Sequence, residues 1–272
     1  MGIKHSLRVA GFLAVVGGAV MAQTADVVDR TELKICADPN NLPFSDERLE
    51  GFENKIAALI GAELGLKVDY AWFPQVVGFV RNTLRAHLCD LVMGTVAGDD
   101  VMQTTNPYYF TTYVMFYRSD KGFGFAGPQD PGLANLRLGV VAGTPPADLL
   151  VRYDLMPHTK PYALTVDTRA ESPTHQMVQD VADGTIDVGF LWGPIAAYYR
   201  KRDNLPLTLL PLRDEPGAAR MEYHIAMGVR ANEPEWRRRI NAVILKLEPQ
   251  ITAILRDYGV PLLNEQSELT TP

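Results

Sequence analysis

The sequence predicts an α/β protein built from two lobes with a central cleft. Strand and helix patterns alternate along the chain, which is typical of α/β folds. A Gly/Pro-rich stretch at residues 121–132 separates two such sets of elements. The 272 residues, 47% of them apolar, suffice for two compact lobes but no more. Two extended segments, residues 112–118 and 222–230, are expected to cross between the lobes.

The first set of elements predicts a parallel sheet. An apolar strand at residues 33–37 precedes a helix at 53–65, whose apolar residues recur at helical spacing. An alternating strand at 66–72 follows, then a predicted helix at 76–88 and an apolar strand at 89–93. Two consecutive β-α-β crossovers make the strands parallel and gather the following loops at the carboxyl edge of the sheet.

The second set repeats the pattern. A strand at residues 138–142 leads into a helix that begins at Thr144, the predicted N-cap. A helix at 174–183 and strands at 186–192 and 207–212 come next. This set therefore predicts a second α/β lobe.

The longest helix is predicted near the C-terminus and ends by Gly259. Its apolar face comprises Trp236, Ile240, Val243, Ile244 and Leu247. Because the second crossing segment returns the chain to the first lobe, this helix is expected to pack there.

The predicted domain organisation follows from these elements. Residues 1–22 are a signal peptide, residues 31–115 and 225–265 form the first lobe, and residues 116–224 form the second lobe. A monomer is expected for this architecture.

The N-terminal segment predicts export. Lys4 and Arg8 precede an uncharged apolar stretch at residues 9–20, and Ala22 offers a small residue at the cleavage position. The alternative is a retained membrane anchor, but the apolar run is shorter than the ~20 residues that a spanning helix needs. A cleaved, exported protein with no membrane insertion is expected.

Charge and composition exclude several function classes. The net charge is −6, and without the first 22 residues it is −8, which disfavours binding to nucleic acid or to an anionic membrane. Two cysteines and five scattered histidines lack metal-ligand spacing, so no metal site and no cofactor are expected.

Cys36 and Cys89 are the two cysteines of the chain. In an oxidising compartment an isolated pair favours a structural disulfide over two buried free thiols or a functional thiol.

Five segments, taken in order, resemble the type II periplasmic solute-binding proteins. They are GFENKIAALIGAELG, CDLVMG, TNPYYFTTYVMFYR, RLGVVAGT and GTIDVGFLWG, and the resemblance covers nearly all of residues 33–260. It implies the two-lobed type II periplasmic binding protein fold, with a central cleft and two crossing segments.

A narrower resemblance is to the MoxJ/XoxJ branch of quinoprotein-dehydrogenase-associated proteins. The opening CADPNNLPFS is its most specific part, and WFPQVVGFVRNTLRAHLCDLVMG also matches. This resemblance implies a periplasmic accessory factor that assembles or activates a pyrroloquinoline-quinone-dependent methanol or other alcohol dehydrogenase. Whether the client enzyme is calcium- or lanthanide-dependent stays open.

The chain departs from the amino-acid receptors of this fold. Those receptors hold the ligand carboxylate with an Arg after the third strand, whereas residues 94–105 here contain Asp99 and Asp100 but no Arg or Lys. Trp192, Gly193 and Pro194 occupy the neighbourhood of the acidic residue that holds the α-ammonium group. An amino acid is therefore not the expected ligand.

The candidate ligand- or partner-binding residues lie at or after predicted strand ends. They are Asp38, Asn40, Phe44, Trp72, Phe73, Thr95, Tyr108, Thr144 and Trp192. The aromatic members predict an apolar cleft wall suited to a hydrophobic group or a partner's side chain, although they also suit a lobe core. Turn formation for Asp38 and Asn40, and helix capping for Thr144, are the alternatives.

No catalytic constellation is present, and the chain is not expected to be an enzyme. Glu53 is interpreted as a helix-start carboxylate that favours the helix dipole. The predicted function is an accessory binding protein that engages a quinoprotein dehydrogenase through its cleft. The alternatives are a transport receptor for a small non-amino-acid organic solute and, from another class, a dehydratase.

Overall fold

The computed structural model describes residues 1–2, 30–170 and 172–270. The predicted signal peptide therefore lies almost wholly outside the described residues. Within the described residues, no helix is both long enough and apolar enough to cross a bilayer.

The described chain alternates strands and helices. The strands are β1 (Glu32–Ala37), β2 (Asn40–Asn41), β3 (Ser45–Asp46), β4 (Lys67–Trp72), β5 (Leu91–Val96), β6 (Gln103–Thr104), β7 (Tyr109–Arg118), β8 (Leu138–Val141), β9 (Thr159–Tyr162), β10 (Val188–Trp192), β11 (Leu207–Pro211) and β12 (Glu222–Val229). The helices are α1 (Phe52–Leu64), α2 (Phe79–Asn82), α3 (Pro145–Arg152), α4 (Pro173–Ala182), α5 (Gly193–Arg202) and α6 (Pro234–Asp257).

The predicted parallel sheet of the first set is confirmed. Strand β1 lies between β4 and β5 and is parallel to both, with Ile35 opposite Tyr70 on one side and Leu91 on the other. Strand β12 then adds antiparallel to β5. The loops after β1 and β5 consequently meet at one edge of the sheet, where Asp38 and Thr95 lie.

Strand β7 joins the two parts of the sheet. Its first residues, 109–112, pair with β12, whereas residues 113–118 pair with β10 and β11. Beyond β10 the sheet continues through β8 to β9. The predicted extended segments at 112–118 and 222–230 thus correspond to β7 and β12. The lobe boundaries at residues 115/116 and 224/225 stay a prediction.

The apolar core divides into clusters that follow the two parts of the sheet. Helices α1 and α6 cover β1, β5 and β12, with Phe52, Ile56 and Ile240 completely buried. Two further clusters lie about β7, β8 and β10. The predicted apolar face of the last helix is buried, and α6 packs against α1, as expected.

The predicted helix at residues 76–88 is wrong. Helical structure is limited to α2, and turns fill the rest of the segment. Gly78 at φ +93° delays the start of the helix, Thr83 at φ −122° and ψ −82° ends it, and His87 at φ +56° keeps the following turns from being helical. As a result, Val77 is 87% exposed while Leu84 is buried.

The predicted disulfide is confirmed: Cys36 of β1 is bonded to Cys89, with 5.3 Å between their Cα atoms. Cys36, Cys89, Phe79 and Leu84 form a small buried cluster. The disulfide therefore ties the irregular segment before β5 to the sheet.

A buried ionic network lies close to this cluster. The Arg230 guanidinium donates to Glu233 at 2.7 Å and to Asp90 at 3.0 Å. Arg30 pairs with the same two carboxylates, at 2.5 Å to Glu233 and 3.1 Å to Asp90. Trp236 donates its indole N–H to the Asp90 carbonyl, so the network fixes the start of α6 against the sheet.

Candidate functional site

A cleft lies between residues of the first and second sets of elements, and two adjoining cavities occupy it. The first, here called the Glu53 cavity, has a volume of about 200 Å³. It is lined by Phe44, Glu53, Gln75, Gly94, Thr95, Val96, Tyr109, Trp192 and Ile225. The second, the Thr168 cavity, has about 230 Å³ and shares Phe44, Gln75 and Trp192 with the first. The shared residues make the two cavities one continuous cleft.

Glu53 is the acidic group of the Glu53 cavity. It lies in the first turn of α1, as predicted, but its carboxyl group also reaches Gly94 of β5. A Cβ atom at position 94 would come within 2.4 Å of Glu53 Oε1, so a larger residue there would displace the carboxyl group. Among the described residues, this carboxyl group has no hydrogen-bond or ion-pair partner.

Burial governs the protonation of Glu53. The surrounding protein removes water from the carboxyl group and raises the pKa of Glu53 to about 8. Burial, together with the nearby Glu53, also raises the pKa values of Tyr70, Tyr108 and Tyr109. At neutral pH the group is therefore predominantly a neutral carboxylic acid among neutral phenols.

Aromatic side chains form one wall of the cleft. Phe44, Tyr109 and Trp192, here called the aromatic wall, all line the Glu53 cavity. Trp192 packs edge-on against Tyr113 and Tyr223, with ring centroids 4.8 and 5.9 Å apart. These contacts hold the indole in place at the end of β10.

Hydrogen bonds bridge the cleft at Asp38. The Thr168 hydroxyl donates to Asp38 Oδ1 at 2.7 Å, and Asn40 Nδ2 donates to the Thr168 carbonyl at 2.6 Å. Asp38 also accepts the backbone N–H groups of Asn40 and Gln75, at 2.9 and 2.6 Å. Its carboxylate is 2% exposed and thus joins three segments of the chain.

A second hydrogen bond bridges the cleft, at Leu42. Tyr199 of α5 donates its hydroxyl to the Leu42 carbonyl at 3.3 Å. With the Asp38–Thr168 bond, it holds the second set of elements against the loop between β1 and α1.

Five of the nine predicted site residues meet at this cleft. Phe44, Thr95 and Trp192 line the Glu53 cavity, and Asn40 lines the Thr168 cavity. Asp38 lies between the two sides as the bridging carboxylate. Asp38 and Asn40 follow β1, and Thr95 and Trp192 lie at the carboxyl ends of β5 and β10, where the parallel topology places cleft residues.

The other four predicted residues lie away from the two cavities. Trp72 stacks on Tyr70 at 4.6 Å, and Phe73 packs in the cluster around the disulfide. The Tyr108 hydroxyl donates to the Met93 carbonyl at 2.8 Å within the core, and the Thr144 hydroxyl donates to the Val141 carbonyl at 2.6 Å. A binding role for these four stays a prediction.

Sequence reasoning missed Glu53, Gln75 and Thr168 as cleft residues. The helix-start position of Glu53 supports the dipole interpretation but does not reveal that the carboxyl group also faces Gly94. Gln75 and Thr168 lie in irregular segments between helices and strands. The usable signal was a position at or near a strand end, as for Asp38.

The charge of the cleft restricts what it can bind. No Lys or Arg is among the residues that line the two cavities. The bidentate guanidinium clamp of an amino-acid receptor is therefore missing from this cleft. Within the described residues, no group of three His, Cys, Asp or Glu side chains is placed to hold a metal ion.

The two-part sheet crossed by β7 and β12, with a cleft at the strand ends, defines a two-lobed type II periplasmic binding protein. More narrowly, the chain belongs to the bacterial extracellular solute-binding proteins, family 3, whose family model matches residues 33–260. It is accordingly a binding protein and not an enzyme.

The similar proteins include two curated relatives and a solved structure. The crystal structure of periplasmic binding protein XoxJ from Methylobacterium extorquens AM1 is 37% identical, with a TM-score of 0.73 over 86% of this chain and 100% of that one. Protein MoxJ of Methylorubrum extorquens is 30% identical over 86% of this chain and 83% of its own length. Protein MoxJ of Paracoccus denitrificans is 28% identical over 91% and 95%. The resemblance to the MoxJ/XoxJ branch is confirmed.

Proposed function

We propose that this protein is a periplasmic accessory factor of a pyrroloquinoline-quinone-dependent methanol or other alcohol dehydrogenase. The observation that carries the proposal is the similarity to MoxJ and XoxJ along more than four fifths of the chain. The cleft adds support, because the residues lining its cavities include no cation that could hold the carboxylate of an amino acid.

The dehydrogenase contacts the mouth of the aromatic-lined cleft. Phe44 and Trp192 are half-buried there and offer apolar surface to a partner. Cavities of about 200 and 230 Å³ are large enough for a side chain but not for a folded segment. The partner therefore binds across the cleft and not deep within it.

To assist the dehydrogenase, this protein must bind one state of that enzyme more tightly than another. A binding protein shifts its partner between two states only if it binds one of them more tightly. The Asp38–Thr168 bridge supplies a contact that forms when the two sides of the cleft approach each other. Closure on the dehydrogenase would then favour its cofactor- or metal-receptive state.

Co-purification tests this function. The tagged protein is expressed in its own host growing on methanol, and the periplasmic fraction is captured and identified by mass spectrometry. Enrichment of a quinoprotein dehydrogenase subunit over a tag-only control is expected. Trp192→Leu should reduce the enrichment, whereas Phe123→Leu, which changes an aromatic contact near Tyr117 outside the cleft, should not. Equal recovery with both variants would contradict engagement at the cleft.

The size of the two cleft cavities favours a second candidate function. A small organic solute would fit a cavity of about 200 Å³, as expected for the receptor of an ABC transporter. A small molecule retained through purification, with a permease and no dehydrogenase recovered from solubilised membranes, would favour this alternative.

A further inference from the structure

The lining of the Glu53 cavity contains one acidic side chain and no basic side chain. Of the nine residues that line it, only Glu53 carries an acidic or basic side chain. Its carboxyl group, on a half-buried residue, lacks a hydrogen-bond or ion-pair partner among the described residues and faces the cavity. The cavity therefore offers a carboxyl group whose binding capacity the fold does not use.

The surroundings of the carboxyl group suit a positive charge with apolar substituents. The aromatic wall of Phe44, Tyr109 and Trp192 provides π-systems, which attract cations electrostatically. Val96 and Ile225 add aliphatic surface to the lining. No Lys or Arg is present there to repel a cation, and the carboxyl group disfavours an anion.

A metal ion fits the cavity poorly. Ca²⁺ takes about six to eight oxygen ligands, whereas this lining offers one carboxyl group, the Gln75 amide, and the hydroxyl groups of Thr95 and Tyr109. An organic cation needs only one counter-charge together with apolar contact.

We propose that the Glu53 cavity binds a small organic cation of the alkylammonium class. The ammonium charge pairs with the Glu53 carboxylate, and the alkyl groups contact the aromatic wall. This goes beyond the proposed association with a dehydrogenase and does not depend on it.

Binding of such a cation is coupled to loss of a proton. Glu53, whose pKa is about 8, is largely protonated at neutral pH, and the cation pairs with the ionised form. The other titratable groups near it are Tyr70, Tyr108 and Tyr109, which stay neutral below pH 9 because their pKa values are raised. Asp99 contacts the site only through Thr95. The affinity is therefore expected to rise by up to about tenfold per pH unit below pH 8 and then to level off.

Calorimetric titration of the purified protein with tetramethylammonium chloride at pH 6 and pH 9 tests the proposal. This ion has no titratable proton, so the pH dependence reports on the protein alone. Glu53→Gln should weaken binding about tenfold or more and abolish its pH dependence. Glu47→Gln, which alters an exposed carboxylate just before α1, should leave the affinity unchanged. Circular dichroism verifies that each variant is folded.

Three controls decide the outcome. Sodium chloride and tert-butanol at equal concentration should not bind, and Gly94→Ala, whose methyl group would occupy the space of the Glu53 carboxyl group, should reduce tetramethylammonium binding. Absence of saturable binding at both pH values, or equal binding of tert-butanol, would overturn the proposal. Because the titration uses the isolated protein, either result leaves the association with a dehydrogenase to its own test.

Discussion

The Thr168 hydroxyl donates a hydrogen bond of 2.7 Å to Asp38, and these two residues are 130 positions apart in the chain. Asp38 follows β1, whereas Thr168 lies in the loop between β9 and α4. A single buried carboxylate thus connects the two sides of the cleft. Because Asp38 also accepts two backbone N–H groups, its position is fixed whether or not Thr168 is bound.

Loss of the Thr168 hydroxyl should loosen the closed cleft. Thr168→Val removes one hydrogen bond to a carboxylate. This loss should destabilise the closed arrangement of the cleft by about 1.5–3 kcal/mol relative to the open one. Small-angle X-ray scattering should show a larger radius of gyration than for the unmodified protein. Thr165→Val, at an exposed position in the same loop, is the matched control and should leave the radius unchanged. An identical radius for both variants would contradict a bridging role for Thr168.

The stability of the protein should depend on pH through Glu53. The pKa of Glu53 is about 8 in the folded protein against its ordinary value of 4.5, so the folded state retains a proton that the unfolded state loses. The contribution of Glu53 to the free energy of unfolding therefore decreases as pH rises from 4.5 to 8, by up to about 1.4 kcal/mol per pH unit.

Glu53→Gln should consequently be more stable than the unmodified protein at pH 8. That difference should be smaller at pH 5. Urea unfolding of both proteins at the two pH values measures it. A stability difference that does not change with pH would show that the carboxyl group titrates near its ordinary value.

Removal of the disulfide should lower stability without changing the fold. The Cys36–Cys89 bond closes a loop of 53 positions, which corresponds to about 4 kcal/mol in the chain-entropy description. The Cys36→Ala/Cys89→Ala protein should unfold at a correspondingly lower urea concentration, with an unchanged circular dichroism spectrum in the absence of urea. If adding a reductant to the unmodified protein leaves its unfolding midpoint in place, this account is wrong.

Arg230→Ala should be strongly destabilising. It leaves the buried Glu233 and the half-buried Asp90 with Arg30 as their shared cationic side chain, at a cost of about 3–5 kcal/mol. Arg238→Ala removes an exposed guanidinium that pairs with Glu235, and should change the free energy of unfolding by less than about 1 kcal/mol. Thermal unfolding of the two variants measures how much stability each one loses. Equal losses of stability would contradict the structural importance of the network.

The fold was largely predictable because it depends on patterns that act over short distances. The apolar strand that ends before Asp38, the helix start near Glu53 and the apolar face from Trp236 onward all follow from periodicity and helix-end signals. The helix predicted at residues 76–88 was wrong because hydrophobic spacing carries no information about the left-handed backbone at His87.

The site was less predictable because it depends on distant pairs. Asp38 could be placed near the cleft from the parallel topology alone. Its partner Thr168 could not, since that residue is in an irregular loop that meets Asp38 only when the two sides approach each other. Likewise, nothing near Glu53 in the sequence indicates that Gly94 accommodates its carboxyl group.

The most direct test of the accessory function is the affinity of this protein for its host's methanol dehydrogenase with and without the quinone and metal. Biolayer interferometry with the purified protein immobilised would measure both dissociation constants. The account predicts a difference of at least about tenfold between the two forms, because only differential affinity can shift the enzyme between states. Equal affinity for the two forms, or binding to neither, would contradict it.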